Sequence, residues 1–227
     1  MVTNAGCIDK DLPYLQENAQ KWRSNGKDVD VKVLEGRGLI AVQGPEMVQL
    51  LQGETDIDLN KLYFMQSAIG TVFDVPNCRV TRCGYTGEDG VEISIDQKEA
   101  ANVIEKMLQS KNANAKLAGL GARDALRVEA GLCLYGSDIN EITTPVEAAI
   151  AFVVAKRRRQ TLWIQWIKRL FITSGCPSPC LGKNIAVGYV DKQDAKIGKQ
   201  LYVDFGKKSL SITVAKMPFV PSKYYTK

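Results

Sequence analysis

The sequence predicts an α+β fold: a mixed or antiparallel sheet with flanking helices, plus a partial C-terminal β-barrel module. Three observations predict it. Helical and strand patterns alternate along the first two thirds of the chain, but short hairpins interrupt them. After residue 173 only short strand patterns remain, at 184–190, 199–205 and 210–217. The 227 residues are 45% hydrophobic, enough for one large domain or two small ones around a buried core.

The first elements follow from their boundary residues. Asp11 followed by Pro13 predicts a helix start, and the polar stretch "SNGKD" predicts its end. Residues 30–44 predict two short strands separated by glycine. Pro45 predicts the start of another helix, with Val48 and Leu51 facing inward.

A hairpin and two helices come next. Residues 78–84 and 90–96 predict two strands joined by a Gly-rich turn. Residues 97–110 predict an amphipathic helix, whose inward face we assign to Ala100, Ile104, Met107 and Leu108. A short helix from 121 ends at Gly131.

The character of the sequence changes after residue 155, which predicts three regions: a domain over 1–155, a linker helix over 156–172 and a β-barrel remnant over 173–227. The linker starts with "KRRR" and continues with apolar residues at helical spacing, including Trp163 and Trp166. A basic amphipathic helix can bind a membrane surface or a partner groove, but such a helix more often covers a core.

Composition excludes several kinds of site. The chain has no histidine, which excludes a Ser-His-Asp triad, a Cys-His pair and any metal site that uses histidine. The six cysteines are scattered rather than arranged in CxxC pairs, so a zinc ribbon is rejected. Cys176 and Cys180 are close enough in sequence for a disulfide, although the two prolines between them favour a rigid turn. The net charge of +5 is concentrated at 156–159, so we expect no nucleic-acid partner.

The start of the sequence is not expected to carry a localisation signal. The segment beginning "MVTNAG" has neither the pattern of a secretory signal nor that of a transit peptide. No apolar run reaches the roughly 18 residues of a membrane helix. We therefore expect no membrane span.

Glu92 lies in a strand of alternating apolar and polar residues. Val91, Ile93 and Ile95 are expected to face the core, which places Glu92 on the opposite face with Ser94 and Asp96. That face could simply be solvated. Alternatively, the carboxylate accepts two parallel hydrogen bonds from an amidine-like edge such as that of a pterin. The turn "GYTGEDG" lacks the GxxxxGK[ST] pattern, so it is not a phosphate loop.

Five segments together resemble one enzyme family, the aminomethyltransferase (T-protein) of the glycine cleavage system. They are "TRCGYTGEDGVEIS" (81–94), "GARDALRVEAGLCLYGSDI" (121–139), "TTPVEAAIAF" (143–152), "TSGCPSPCLGKNIAVGYV" (173–190) and "KMPFVPSKYYTK" (216–227). The turn alone would also fit the folate portions of dimethylglycine and sarcosine dehydrogenases. The resemblance implies transfer of an aminomethyl group from lipoylated H-protein to tetrahydrofolate, with release of ammonia and formation of methylenetetrahydrofolate.

The resemblance also implies a site, a set of partners and a location. Glu92 binds the pterin, Arg123 binds the folate, and Tyr224 and Asn4 line the site. Taken alone, Arg123 could equally form a structural ion pair, and Tyr224 could be an ordinary tail residue. The expected partner is lipoylated H-protein, without a metal, and the expected location is the mitochondrial matrix.

The chain departs from the family pattern in two places. The family's catalytic Asp lies upstream of the segment that matches "VTNAG", so we expect no catalytic residue within this chain. After Arg159 a long family segment is replaced by "QTLWIQWIKRLFI", so part of the barrel is expected to be missing. Two hypotheses follow: an aminomethyltransferase with impaired activity, or a non-catalytic folate-binding or interaction fragment.

Overall fold

The computed structural model describes residues 1–155 and 171–227. Four α-helices and eight strands lie in these two ranges. The helices are α1 (Ile8–Ser24), α2 (Met47–Leu51), α3 (Ala100–Gln109) and α4 (Leu120–Glu129). The strands are β1 (Arg37–Gln43), β2 (Ser67–Val72), β3 (Val75–Thr81), β4 (Gly90–Asp96), β5 (Phe171–Ser178), β6 (Lys183–Tyr189), β7 (Gln200–Phe205) and β8 (Lys208–Thr213).

The main sheet has the strand order β1-β4-β3-β2, and every neighbouring pair is antiparallel. Strand β4 lies between β1 and β3, so both of its edges are hydrogen-bonded. Glu92 is the register partner of Ala41 on one side and of Thr81 on the other. The predicted hairpin of two strands around a Gly-rich turn is confirmed, with its first strand beginning at Val75.

One face of this sheet forms the core. Val91, Ile93 and Ile95 are each fully buried. They pack with buried residues of α2 and with Val103 and Met107 of α3. Each such apolar side chain contributes about 1.5–3 kcal/mol relative to an exposed one. Glu92 and Ser94 are half-buried on the opposite face, and Asp96 is exposed. The alternation predicted for β4 is therefore confirmed.

Three details of the first half differ from the sequence predictions. Residues 30–44 contain one strand rather than two, because Gly36 adopts a left-handed turn conformation (φ +70°) directly before β1. Helix α1 begins at Ile8 rather than near Asp11, so Pro13 lies inside the helix and one backbone hydrogen bond is lost. In α3 the side chains buried against the sheet are Val103 and Met107, whereas Leu108, which we assigned to the inward face, is exposed.

The C-terminal part consists of two antiparallel hairpins, β5-β6 and β7-β8. The three strand patterns predicted after residue 173 correspond to β6, β7 and β8. Most of the predicted linker helix over 156–172 lies outside the described residues. Its last two residues, Phe171 and Ile172, begin β5 instead of ending a helix. Their backbones pair with Tyr189 and Gly188 of β6, which fixes them in an extended conformation.

A buried ion pair joins α4 to the first C-terminal hairpin. The Arg127 guanidinium bonds the Asp138 carboxylate, and both side chains are almost fully buried. Arg127 also donates to Ser174 Oγ of β5 at 2.8 Å. Burial alone would raise the pKa of Asp138, but hydrogen bonds from Ser174, Thr173, the Leu134 N–H and Arg127 outweigh it and lower that pKa below its ordinary value. This network ties the C-terminal strands to the domain that carries the sheet.

The turn between β3 and β4 is packed around one side chain, Gln43 at the end of β1. Its amide nitrogen donates to the Cys83 carbonyl at 3.0 Å, and its amide oxygen accepts from Thr86 Oγ1 at 3.1 Å. There is no space for a side chain beside it. A Cβ atom at Gly84 would lie 1.8 Å from Gln43 Oε1, and one at Gly90 would lie 2.4 Å from Gln43 Nε2. The glycines of the motif are therefore required for close packing of the turn on Gln43.

We expect Asp138→Asn to lower the free energy of unfolding by about 3 kcal/mol at pH 7, because it leaves the buried Arg127 charge incompletely paired. A carboxyl whose pKa is lowered by folding stabilises the protein above its unfolded pKa of about 4, and that stability is lost as the pH falls. Urea unfolding from pH 7 to pH 3 should show a smaller loss in the variant than in the wild type. Asp124→Asn is the matched control, since Asp124 pairs with the same guanidinium but is half exposed, and it should cost less than about 1 kcal/mol. Equal costs for the two variants would contradict the importance of the buried pair.

We expect Gly84→Ala to lower the free energy of unfolding by about 1–3 kcal/mol, because the new methyl group displaces the Gln43 amide from its hydrogen bonds. Adding Gln43→Ala removes the collision, so the double variant should lose less than the sum of the two single variants. Gly53→Ala is the control, as a Cβ there meets no atom within 4 Å. Chemical denaturation measures the free energy of unfolding of the wild type and of the four variants. Strictly additive losses would show that Gly84 and Gln43 are not in contact.

Candidate functional site

Glu92 is a half-buried carboxylate near the start of β4, on the sheet face opposite the core. Its neighbour is the thiol of Cys83. Burial, together with the charge and hydrogen bonding of Glu92, raises the pKa of that thiol to about 11. The thiol therefore stays protonated at neutral pH beside the carboxylate. Within residues 1–155 and 171–227, no lysine or arginine forms an ion pair with Glu92, so its charge has no cationic partner there.

Arg123 approaches the same turn from α4. It lies in the first turn of that helix and is exposed. Its guanidinium stands 4.8 Å from the centre of the Tyr85 ring, in a cation–π arrangement. The Tyr85 hydroxyl in turn donates to the Cys133 carbonyl at 2.6 Å, and burial raises the pKa of Tyr85. The contact with Tyr85 leaves the donor edge of Arg123 available for an anionic ligand.

Tyr224 reaches the turn through the C-terminal tail. The adjacent Lys223 donates its backbone N–H to the Gly87 carbonyl at 2.7 Å, and its ammonium pairs with Glu88 at 2.8 Å. The Tyr224 ring stacks on Phe64, with centroids 4.2 Å apart and planes inclined by 19°. Burial raises the pKa of Tyr224, so its hydroxyl is neutral at physiological pH and can donate a hydrogen bond.

Gly87 is the point at which the tail and α4 meet the turn. It has a left-handed conformation (φ +78°), and a Cβ atom there would lie 2.8 Å from the Cβ of Ala130, just after α4. Val220 of the tail also donates its N–H to the Glu129 carbonyl at 2.9 Å. These contacts bring β4, α4 and the tail to one turn, so Glu92, Arg123 and Tyr224 lie on three segments that meet there.

Asn4 is placed differently. Its side-chain oxygen accepts from the Gly6 N–H at 3.0 Å and caps the short 3-10 turn Ala5–Cys7 that leads into α1. The described contacts of its carboxamide are therefore local, and they do not connect Asn4 to the β3–β4 turn. Of the four residues that the sequence singled out, three converge and the fourth lies on a separate segment.

Sequence reasoning missed the residues that support these three. Cys83 and Tyr85 lie inside the segment "TRCGYTGEDGVEIS" (81–94), where the thiol and the ring could have been noticed as neighbours of Glu92 and the turn. Phe64 carries no such signal. It lies 160 positions from Tyr224 in the chain, and only the folded tail brings the two rings together.

A cavity of 820 Å³ opens on the same sheet face, but it is not at the turn. Its lining includes Arg37, Ile69, Arg79 and Ser94 together with the segment 31–35, and none of the four predicted residues. Most of its lining residues are exposed, so it is an open groove. The candidate site is therefore assigned to the β3–β4 turn, from the side chains that meet there, and not to this groove.

Residues 1–155 and 171–227 contain neither a metal-binding cluster nor a membrane-spanning helix. No group of three or more Cys, Asp or Glu side chains in them is arranged to bind a metal ion. No helix in them combines the length and apolar character needed to cross a membrane.

Two protein-family models together match almost the whole chain. Residues 1–158 match the family model described as the GCVT N-terminal domain, and residues 168–221 match the glycine cleavage T-protein C-terminal barrel domain. The chain is 43% identical over 263 aligned positions to proteins named "Aminomethyltransferase, mitochondrial" from Mus musculus and Homo sapiens. The corresponding protein from Solanum tuberosum is 40% identical. The alignments cover 99–100% of this chain but 64% of each relative.

A solved structure has the same fold. The glycine cleavage system aminomethyltransferase T from Bartonella henselae superimposes with a TM-score of 0.82 at 31% identity. The match covers 98% of this chain and 69% of that one. The predicted α+β class with a barrel-like C-terminal part is thereby confirmed. The family matches over 1–158 and 168–221, together with the shared fold, show that the chain belongs to the glycine cleavage T-protein (GCVT) family.

Proposed function

We propose that this chain serves tetrahydrofolate-dependent aminomethyl transfer in glycine cleavage. The aminomethyl group on the lipoyl arm of H-protein would be passed to tetrahydrofolate, with formation of methylenetetrahydrofolate and ammonia. Family membership and the names of the relatives support this activity. The observation that carries the proposal is Glu92, a half-buried carboxylate without a cationic partner in the described ranges, beside a turn on which Arg123 and Tyr224 converge.

The chemistry of Glu92 suits a pterin. A pterin ring presents N3–H and a 2-amino group side by side, and a carboxylate accepts two such parallel hydrogen bonds. No lysine or arginine in residues 1–155 and 171–227 pairs with Glu92, so no cation there competes with a ligand for its two oxygens. A neutral ligand edge with two donors would satisfy it without bringing a second charge into a half-buried place.

The other residues are assigned complementary roles. Arg123 would bind the anionic carboxylates of folate, because its exposed guanidinium offers a planar set of donors. Tyr224 would contact the ligand with its ring edge or its neutral hydroxyl. We retain Asn4 as a folate-lining residue on the strength of the family resemblance, although its carboxamide caps a local turn in this structure.

The same proposal extends to partners, location and domain organisation. Lipoylated H-protein is the proposed protein partner and the mitochondrial matrix the proposed location. The family resemblance supports the partner, and the word "mitochondrial" in the names of the relatives supports the location. We also propose the division into a folate domain over 1–155, a linker over 156–172 and a barrel module over 173–227; the separate family matches over 1–158 and 168–221 support a division between the two parts. A folate-dependent dehydrogenase is not favoured, since the relatives described above are aminomethyltransferases.

We expect Glu92→Gln to weaken the binding of tetrahydrofolate by about 1–3 kcal/mol, because the amide replaces one acceptor with a donor that faces the pterin N–H groups. Isothermal titration of the wild type and the variant measures the difference. Ser94→Ala is the matched control, as Ser94 lies two residues along the same face of β4, and its affinity should be unchanged. If Glu92→Gln binds as tightly as the wild type, Glu92 is not the pterin ligand.

The same proteins then separate an enzyme from a binding fragment. Formation of methylenetetrahydrofolate is measured with aminomethyl-loaded H-protein. Turnover by the wild type, reduced in Glu92→Gln, supports the proposed transferase. Binding of tetrahydrofolate without turnover supports the non-catalytic fragment instead, and absence of binding contradicts both.

A further inference from the structure

Arg82 is a buried cation at the end of β3 that the proposed folate site does not itself use. Its side chain is 2% exposed. The guanidinium donates to the carbonyl groups of Leu59 and Leu62, the second at 2.9 Å. It also forms a two-point ion pair with Asp89, in which Nε donates to Oδ1 at 2.9 Å and a terminal nitrogen contacts Oδ2. Four of the five N–H groups of the guanidinium thereby donate to protein acceptors.

The flat face of the same guanidinium is occupied as well. The Tyr225 ring lies over it, with the ring centre 4.0 Å from the guanidinium carbon. Tyr225 also stacks on Tyr63 at 5.5 Å between ring centres. The backbone of Arg82 contributes two more hydrogen bonds, from the Met65 N–H at 2.7 Å and to the Gln66 carbonyl at 2.9 Å.

These contacts connect three segments that frame Tyr224. Leu59 and Leu62 precede Phe64, the ring beneath Tyr224. Asp89 ends the turn on which the candidate site is built. Tyr225 is the next residue after Tyr224, and its carbonyl accepts from the Phe64 N–H at 2.8 Å. Besides the Lys223 contacts with Gly87 and Glu88, the buried guanidinium is therefore the group that joins all three of these segments next to Tyr224.

We propose that Arg82 is a positioning residue of the folate site, which fixes Tyr224 by joining the 59–66 segment, the β3–β4 turn and the C-terminal tail without touching the ligand. The inference rests on the proposed function for the identity of the ligand, but its structural part does not. Arginine is required because its planar fork can bond Asp89 at two points and two carbonyls at once, while its face carries an aromatic ring. A lysine keeps the charge but offers no planar face and no fork.

The first test measures the tail without folate. Carboxypeptidase Y is added to the folded protein, and release of residues after Lys223 is followed by mass spectrometry. We expect Arg82→Lys to increase the rate of release about ten-fold. Losing a tail contact worth about 1.4 kcal/mol raises the fraction of molecules with a detached tail ten-fold, and only the detached tail is cleaved. Arg79→Lys is the matched control. It lies on the same strand, is exposed and bonds only Ser67 Oγ among the described contacts, so its rate should equal that of the wild type.

The second test asks whether Arg82 acts through Tyr224. Tetrahydrofolate affinity is measured for Arg82→Lys, Tyr224→Ala and the double variant. If Arg82 serves to place Tyr224, the double variant should bind no more weakly than Tyr224→Ala alone. A merely structural role would give additive losses, accompanied by a lower melting temperature in each variant.

The outcomes distinguish this inference from the proposed function. If the wild type fails to bind tetrahydrofolate, the proposed function is contradicted, and the carboxypeptidase rates still decide the role of Arg82. Should Arg82→Lys fail to fold, Asp89→Asn replaces it, since it weakens the two-point contact and leaves Arg82 in place. Tail release at the wild-type rate in the folded variant, or additive losses of affinity, would overturn the proposal.

Discussion

The guanidinium of Arg82 is only 2% exposed, and a buried charge without hydrogen-bond partners is strongly destabilising. Arg82 meets this requirement by drawing together groups from distant parts of the chain. Its partners, Leu59, Leu62, Asp89 and Tyr225, come from three segments. The geometry of the β3–β4 turn follows from this constraint on one side and from the Gln43 amide on the other.

The sheet explains why the turn presents a carboxylate. Strand β4 is bonded on both edges, so its alternation cannot shift by one residue without moving Val91 and Ile93 out of the core. Glu92 is therefore fixed on the open face. The short, rigid turn before it brings Cys83 beside the carboxylate and Tyr85 beneath Arg123.

Helix α4 serves two parts of the molecule at once. Arg123 points toward the turn, and one helical turn later Arg127 bonds Asp138 and Ser174. The first C-terminal hairpin and the candidate site consequently share one rigid element. Displacement of the hairpin would be transmitted to α4, and through it to the arginine at the site.

The sequence allowed local features to be predicted better than distant ones. The alternation of β4, the hairpin and the end of α4 at Gly131 depend on periodicity and on glycine, and the structure confirms them. The extent of α3's buried face and the single strand within 30–44 depend on packing, and there periodicity was a poor guide. The pairing of Phe64 with Tyr224 and the role of Arg82 required the folded tail. No local pattern in the sequence indicates them.

The central claim is that the turn fixed by Gln43 and Arg82 presents Glu92 to a pterin. A crystal structure of the protein with tetrahydrofolate tests it most directly. The account predicts the pterin N3–H and 2-amino group within about 3 Å of the two Glu92 oxygens, with Tyr224 against the ligand and the contacts of Arg82 unchanged. A pterin bound elsewhere, for instance in the groove beside Arg37 and Arg79, with Glu92 facing only Cys83, would contradict it.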